Sequence, residues 1–401
     1  MVGSSIGGGS INVTEVNGSN VEFTGAYPTL VISHMDVPGV VSQVTALLFE
    51  LDINIAFMKV IRSQKGKEAT MVFELDGEMT EEAVEQIKSF GYIKKVIMIT
   101  QLRMVNKMLE AKNGEELLRI CEAENIPLSE YAIRIEMENR EITREEAYAR
   151  MRDVLQAMKD GANEGRAKEV HSVSGLIGGD GYKMQKYLES KETLTGDVIV
   201  KAMAMALSSS EVNASMGRIV ACPTAGSCGI LPAVVLSAGE RLNKSDDELI
   251  NALFTSSAVG MIIGRNATLS GAEGGCQAEC GSASAMAAAA VVEMMGGTAK
   301  MCLDAGAIVL KNILGLVCDP VAGLVEIPCA KRNAAGAVSA LSTAELVMAG
   351  VSSHIPFDDA VTAMYQVGKS LPSSLRETAL GGVAITKAGL ILKKKVFGDE
   401  E

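Results

Sequence analysis

GAEGGCQAECGSASAMAAAAVV, residues 271–292, decides the fold class of the larger part of this chain. From Gly281 to Val292 every residue is small or apolar, so a helix built from it is apolar on all sides and must be buried all round. It is too short to span a bilayer, which takes about 18 residues, and the run at 252–263 reads the same way. A helix buried all round needs other helices about it. Accordingly, strand signals vanish from about 190 to 392, and Ala, Met, Gly and Leu dominate between Gly/Pro loops. This predicts an all-helical domain. Residues 101–168 extend it with charged helical sequence, including a capping-box pattern from Thr143 to Glu146 ahead of a long amphipathic helix.

Upstream the periodicity changes. TLVISHM reads as a strand, and DVPGVVSQVTALLFELDINI as a turn followed by an amphipathic helix. IAFMKVIRS and EATMVFEL alternate as two strands about the polar turn QKGK; TEEAVEQIKSF is a charged helix and YIKKVIMI a last strand. The order βαββαβ is a ferredoxin-like unit. The expected fold is therefore α+β and multi-domain, with a linker at 1–26 rich in Gly, Ser and Asn, a ferredoxin-like domain at 27–100, and an all-helical domain at 101–401.

Composition narrows the function. The formal net charge of -12 in 401 residues argues against nucleic acid or an anionic membrane as partner. Residues 1–10, MVGSSIGGGS, have neither the basic nor the apolar segment of a secretion signal. Eight cysteines without such a signal are expected to be reduced, which places the protein in the cytoplasm.

Seven of those cysteines lie from 222 to 329. There is no C-x2-C pair and only three histidines, so zinc is disfavoured. Cys276 follows a glycine run and opens a helix, where a thiol is held toward thiolate, the form that binds iron. Cys318 and Cys329 bracket CDPVAGLVEIPC, whose prolines preorganise the loop. Free cysteine is also a common small core residue, and spacing alone does not decide between the two roles. Three further loops are rich in groups that bind anions. HSVSGLIGGDGYK carries Ser172, Ser174, Gly178 and Gly179; ACPTAGSCGILPA carries Thr224, Gly226 and Ser227; GRNATLSGAEGG carries Asn266 and Ser270. Arg332, in CAKRNAAG, offers a two-pronged clamp for a carboxylate.

Taken in order, SGLIGGDGYK, CPTAGSCG, NATLSGAEGGCQAECG, CDPVAGLVEIPCAKRNAAG and LRETALGGVA resemble the catalytic part of the iron–sulfur-dependent L-serine dehydratases, over roughly 105–392. Residues 28–99 resemble an ACT domain, and SSIGGGSI the linker that joins it to a preceding domain in that family. The resemblance implies a [4Fe–4S] cluster on Cys276, Cys318 and Cys329, one iron left open as a Lewis acid for the hydroxyl of L-serine, and release of pyruvate and ammonia. It leaves Cys280 a neighbour on the same helix face. It implies a beta domain or separate beta subunit before the ACT domain, which this sequence lacks and whose histidines do not carry over. Lys183 and His171 are the candidate bases within the chain. In the ACT unit the resemblance implies homo-oligomerisation and a small ligand at the turn holding Asp36 and Gly39.

Three alternatives stay open. One is a lyase that acts on L-cysteine and releases sulfide. The second is an inactive or amino-acid-sensing subunit. The third is a redox protein whose cluster takes a fourth ligand from Cys280 or Cys228. A pyridoxal-phosphate enzyme is opposed by the all-helical reading of 190–392.

Overall fold

In a computed structural model the chain divides into two units, Met1–Leu109 and Glu110–Glu401. The structure describes residues 2–7, 10–16, 19–23, 27–62, 66–77, 79–99 and 110–398, with only the backbone described in the strands before residue 24. The helical expectation over 101–109 falls outside these residues.

The first unit opens on three strands, β1 (Val2–Gly7), β2 (Ser10–Val16) and β3 (Ser19–Phe23), paired antiparallel in sequence order. Residues 1–26, expected as a linker, therefore carry a small sheet. Ile, Val and Thr recur within β2, a composition that suits extended backbone. The βαββαβ unit follows as β4 (Thr29–Met35), α1 (Val40–Glu50), β5 (Ile55–Arg62), β6 (Glu68–Leu75), α2 (Glu81–Lys88) and β7 (Ile93–Ile99). Its sheet order is β5-β6-β4-β7, antiparallel throughout, which is the ferredoxin-like arrangement the alternation predicts. Period-two burial drives it. Leu30 and Ile32 of β4 and Met71 and Phe73 of β6 pack with Val44 and Leu48 of α1. Val31 and Val72 form a second cluster with Ile97 and Ile99.

In the second unit the regular elements among the described residues are all helical: α3 (Gly114–Glu124), α4 (Leu128–Arg140), α5 (Arg144–Ala167), α6 (Asp180–Ser190), α7 (Asp197–Ala214), α8 (Ile230–Arg241), α9 (Asp246–Asn266), the short α10 (Gly271–Gly274), α11 (Ser282–Met294), α12 (Ala299–Ile313), α13 (Cys329–Met348), α14 (Phe357–Ser370) and α15 (Lys387–Phe397). Side chains close several N-termini, including reciprocal capping boxes of Thr143 with Glu146 on α5 and Ser245 with Glu248 on α9. The centre is α11, whose residues from Ser282 to Val292 are all buried. It packs against α8, α9, α12 and α13. Alanine and serine along it let four neighbours approach, which is how a core with little aromatic sequence fills its volume. None of the described helices is long and apolar enough to cross a membrane.

Candidate active site

The stretch 271–281 sits where α10 meets α11. Between them Gln277–Gly281 forms one π-helical turn, with Cys276 at its N-terminal boundary. Such turns insert an extra residue into a helix and occur often at functional positions. Here the turn carries Glu279, the single charged residue between Cys276 and Val292, into the protein, where it is only 9% exposed. Its Oε1 accepts a 2.7 Å hydrogen bond from the Thr224 hydroxyl, and its Oε2 lies 4.0 Å from Cys318 Sγ.

Two glycines make room for this carboxylate. A Cβ on Gly226 would stand 2.9 Å from Oε1, and one on Gly271 2.6 Å from Oε2 and 3.2 Å from Cys318 Sγ. Gly271→Ala is therefore expected to displace Glu279 and the Cys318 loop together. The strain is about 1–3 kcal/mol, seen as a lowered unfolding midpoint and, if the expected cluster is held there, as reduced iron retention. An unchanged midpoint and iron content would show that the loops yield freely.

The three thiols expected to hold iron come from different segments, and all are buried: Cys276 2%, Cys318 4% and Cys329 7% exposed. They share one electrostatic environment. The Cys280 thiol, 3.4 Å from Cys276 Sγ, hydrogen-bonds it and holds Cys276 below the ordinary thiol value, with the Arg332 charge adding to this against burial. Burial pushes Cys329 up to about 12, and the Cys276 and Glu279 charges add to it. Cys318 is pushed up by burial and then by Cys276, Glu279, Glu377 and Cys329. Burial also raises the Glu279 carboxyl, against the Thr224 hydrogen bond and with the Glu377 charge adding.

Among the described residues no group of three or more His, Cys, Asp or Glu is arranged to hold a metal ion. A single ion needs all its donors within about 2.3 Å of one point. A cluster takes each thiolate on a different iron, so its donors stand further apart. Three buried thiols beside one guanidinium fit that donor set in kind. Because burial holds two of them protonated, metal loading would release protons.

Arg332 differs from its expected role as a carboxylate clamp. Its Nη1 donates to Val317 O and its Nη2 to Asp319 Oδ1, both at 2.8 Å. Asp319 Oδ2 in turn accepts from Val383 N at 2.7 Å. The sequence places a guanidinium beside a cysteine but does not show which buried carboxylate it neutralises. Cys318 is further tied by backbone bonds to Leu375 O and from Glu377 N. Asn333 Nδ2 donates to Gly226 O and Cys329 O, joining the loop at 224–227 to the start of α13.

A cleft of about 520 Å³ opens beside these groups, lined among others by Thr224, Gly226, Ser270, Gly271, Glu279 and Glu377. Of the expected substrate residues, Thr224, Gly226 and Ser270 lie on its wall, and Ser227, fully buried, braces Thr224 through a 3.2 Å hydroxyl contact. The others lie elsewhere. Asn266 donates to Lys112 O and Ile262 O. Ser172 and Ser174 hydrogen-bond within their own loop, and Ser174 reaches Glu326 at 2.8 Å, fastening that loop to the one between Cys318 and Cys329. Gly178 allows His171 to lie against it, and Gly179 takes a left-handed φ of 71° ahead of α6. His171 and Lys183 are 62% and 68% exposed, face Glu169 and Asp180 respectively, and are absent from the cleft wall. In the first unit Asp36 binds Arg62 at 3.2 Å and Gly66 N at 2.9 Å. Gly39, at φ 96°, faces open space ahead of α1.

Glu279, Glu377 and Gly271 were not legible as site residues. The available signal was one acid in an otherwise uncharged buried run.

The chain matches known proteins over most of its length. Residues 79–384 match the family model described as serine dehydratase alpha chain, and 29–91 match that of the ACT domain. The chain is 48% identical over 287 residues to a protein named probable L-serine dehydratase, alpha chain, of Bacillus subtilis (strain 168), covering 72% of this chain and 95% of that one. It is 46% identical over 281 residues to the L-serine dehydratase, alpha chain, of Peptoniphilus asaccharolyticus, covering 70% and 96%. The L-serine dehydratase TdcG of Escherichia coli (strain K12) is longer: a 35% match over 281 residues covers 67% of this chain and 60% of that protein. With a family model spanning most of its length and an alpha chain matched nearly end to end, this chain belongs to the serine dehydratase alpha chain family.

Proposed function

We propose that this chain carries the catalytic centre of an L-serine ammonia-lyase, which converts L-serine to pyruvate and ammonia. The observation that supports it most is the gathering of Cys276, Cys318, Cys329 and Glu279 from separate segments beside one cleft. Cys276, Cys318 and Cys329 are the residues that would hold a [4Fe–4S] cluster. When bound, that group supplies a Lewis acid for a hydroxyl that is otherwise a very poor leaving group. The chain's own residues do the rest of the positioning. Gly226 and Gly271 keep the cleft open to a small molecule, and the Thr224 and Ser270 hydroxyls offer hydrogen bonds to it. The elimination removes the α-proton and the β-hydroxide, and the resulting enamine tautomerises to an imine that water hydrolyses.

A beta-type partner chain completes the enzyme in this proposal. It is suggested by the alpha-chain names of relatives matched end to end and by the greater length of TdcG. The same proposal assigns the proton-abstracting base to that partner, since His171 and Lys183 lie off the cleft wall. Eight free cysteines suit a reducing compartment, the cytosol. The ACT unit is assigned self-association and an amino-acid ligand at the Asp36–Gly39 turn.

Anaerobic reconstitution with iron and sulfide tests this, with pyruvate measured from L-serine and from L-cysteine, with and without a beta chain. Pyruvate from L-serine that depends on iron and sulfide is expected. Turnover of L-cysteine alone, or turnover without iron, would overturn the assignment.

A further inference from the structure

A carboxylate that is nine-tenths buried is costly unless a cation compensates it. Glu279 has none of its own. Among the described residues no lysine, arginine or histidine stands at ion-pair distance from it. The groups acting on it are the neutral Thr224 hydroxyl, the neutral Cys318 thiol through a long 4.0 Å contact to Oε2, and a second acid, Glu377. The guanidinium beside the thiols, Arg332, is engaged by Asp319. Yet Glu279 is held firmly, by Thr224 on one side and by two glycines whose missing side chains leave its oxygens uncovered. It faces a cleft whose wall also carries Glu273 and Glu377. A buried, fixed, uncompensated carboxylate opening onto a small-molecule cleft is complementary to a cationic ligand group.

We infer that Glu279 receives the α-ammonium group of the amino-acid substrate, with Glu377 adding charge at the mouth of the cleft. This rests on the serine ammonia-lyase assignment and specifies how its substrate is oriented. The ammonium offers three N–H donors. Glu279 Oε2, whose hydrogen bond from the Cys318 thiol is long at 4.0 Å, has a lone pair left to accept one. Anchoring nitrogen there sets the substrate's β-carbon and its hydroxyl against the Cys318 side of the cleft. Glu279 then distinguishes amino acids from hydroxy acids of the same shape.

The experiment is equilibrium binding to the full chain, loaded with iron and sulfide, of two unreactive ligands that differ only in the ammonium: L-alanine and propanoate. The wild type is expected to bind L-alanine about tenfold tighter or more. Glu279→Gln should bring that ratio close to one while leaving propanoate affinity and iron content unchanged. With L-serine it should raise KM by a similar factor and lower kcat much less. Glu377→Gln, at an exposed position where folding is not at stake, should reduce the ratio in the same direction by a smaller factor. The inference is overturned by a wild type that binds neither ligand or does not discriminate between them. A Glu279→Gln protein that retains the ratio, weakens both ligands equally or loses its iron would overturn it as well. A preserved ratio without pyruvate formation by the reconstituted wild type would instead sink the lyase assignment and leave the ammonium site standing.

Discussion

Replacing Cys276 by alanine is expected to leave the helical unit folded, to remove bound iron and sulfide, and to lower serine turnover by about a thousandfold or more. The loss corresponds to the several kcal/mol that a Lewis acid contributes to departure of a poor leaving group. Folding should survive because a thiol-to-methyl change leaves only a minor void. Iron and sulfide analysis with a pyruvate assay checks both halves. The informative contrast is Cys280→Ala. Cys280 lies 3.4 Å from Cys276 Sγ and is equally buried, but the proposed ligand set does not include it. Its alanine variant should keep its iron. If Cys280→Ala empties the site as thoroughly as Cys276→Ala, the cluster has a fourth protein ligand, and the open-iron chemistry is wrong.

The second large effect is on stability. Arg332→Met removes the partner of Asp319, a carboxylate whose side chain is only 3% exposed. Val383 N–H remains as a neutral donor, but the charge is left buried and uncompensated, which costs about 3–5 kcal/mol. Denaturant unfolding should show the midpoint falling with an unchanged slope. The paired change Arg332→Met with Asp319→Leu should recover most of the loss, since removing both charges removes the desolvation penalty. A single variant as stable as the wild type would mean that Asp319 takes up a proton or reaches solvent instead.

Much of the architecture was legible because it is set by periodicity. Alternation in TLVISHM and EATMVFEL places Leu30, Ile32, Met71 and Phe73 in one core, and the small apolar run after Gly281 leaves no exposed face, so α11 is central. What the sequence conceals is pairing between distant segments. Nothing local distinguishes Arg332 as the partner of Asp319, or sets Thr224 against Glu279. The strands before residue 24 were concealed for a different reason: the Gly, Ser and Asn around a single β-prone run read as linker, and the strands show only once they pair with one another. His171 and Lys183 drew attention by residue type alone, and exposure at 62% and 68% leaves each facing a surface carboxylate.

The backbone ladder that ties Cys318 to Leu375 and Glu377, and the bond from Val383 to Asp319, have a consequence for biosynthesis. While the ribosome is still making the segment after Ser370, the earlier cysteines have left the tunnel but lack the strap that holds the Cys318 loop in place. A nascent chain at that stage offers sulfur without an enclosure, so under the cluster proposal metal delivery belongs after translation of this strap.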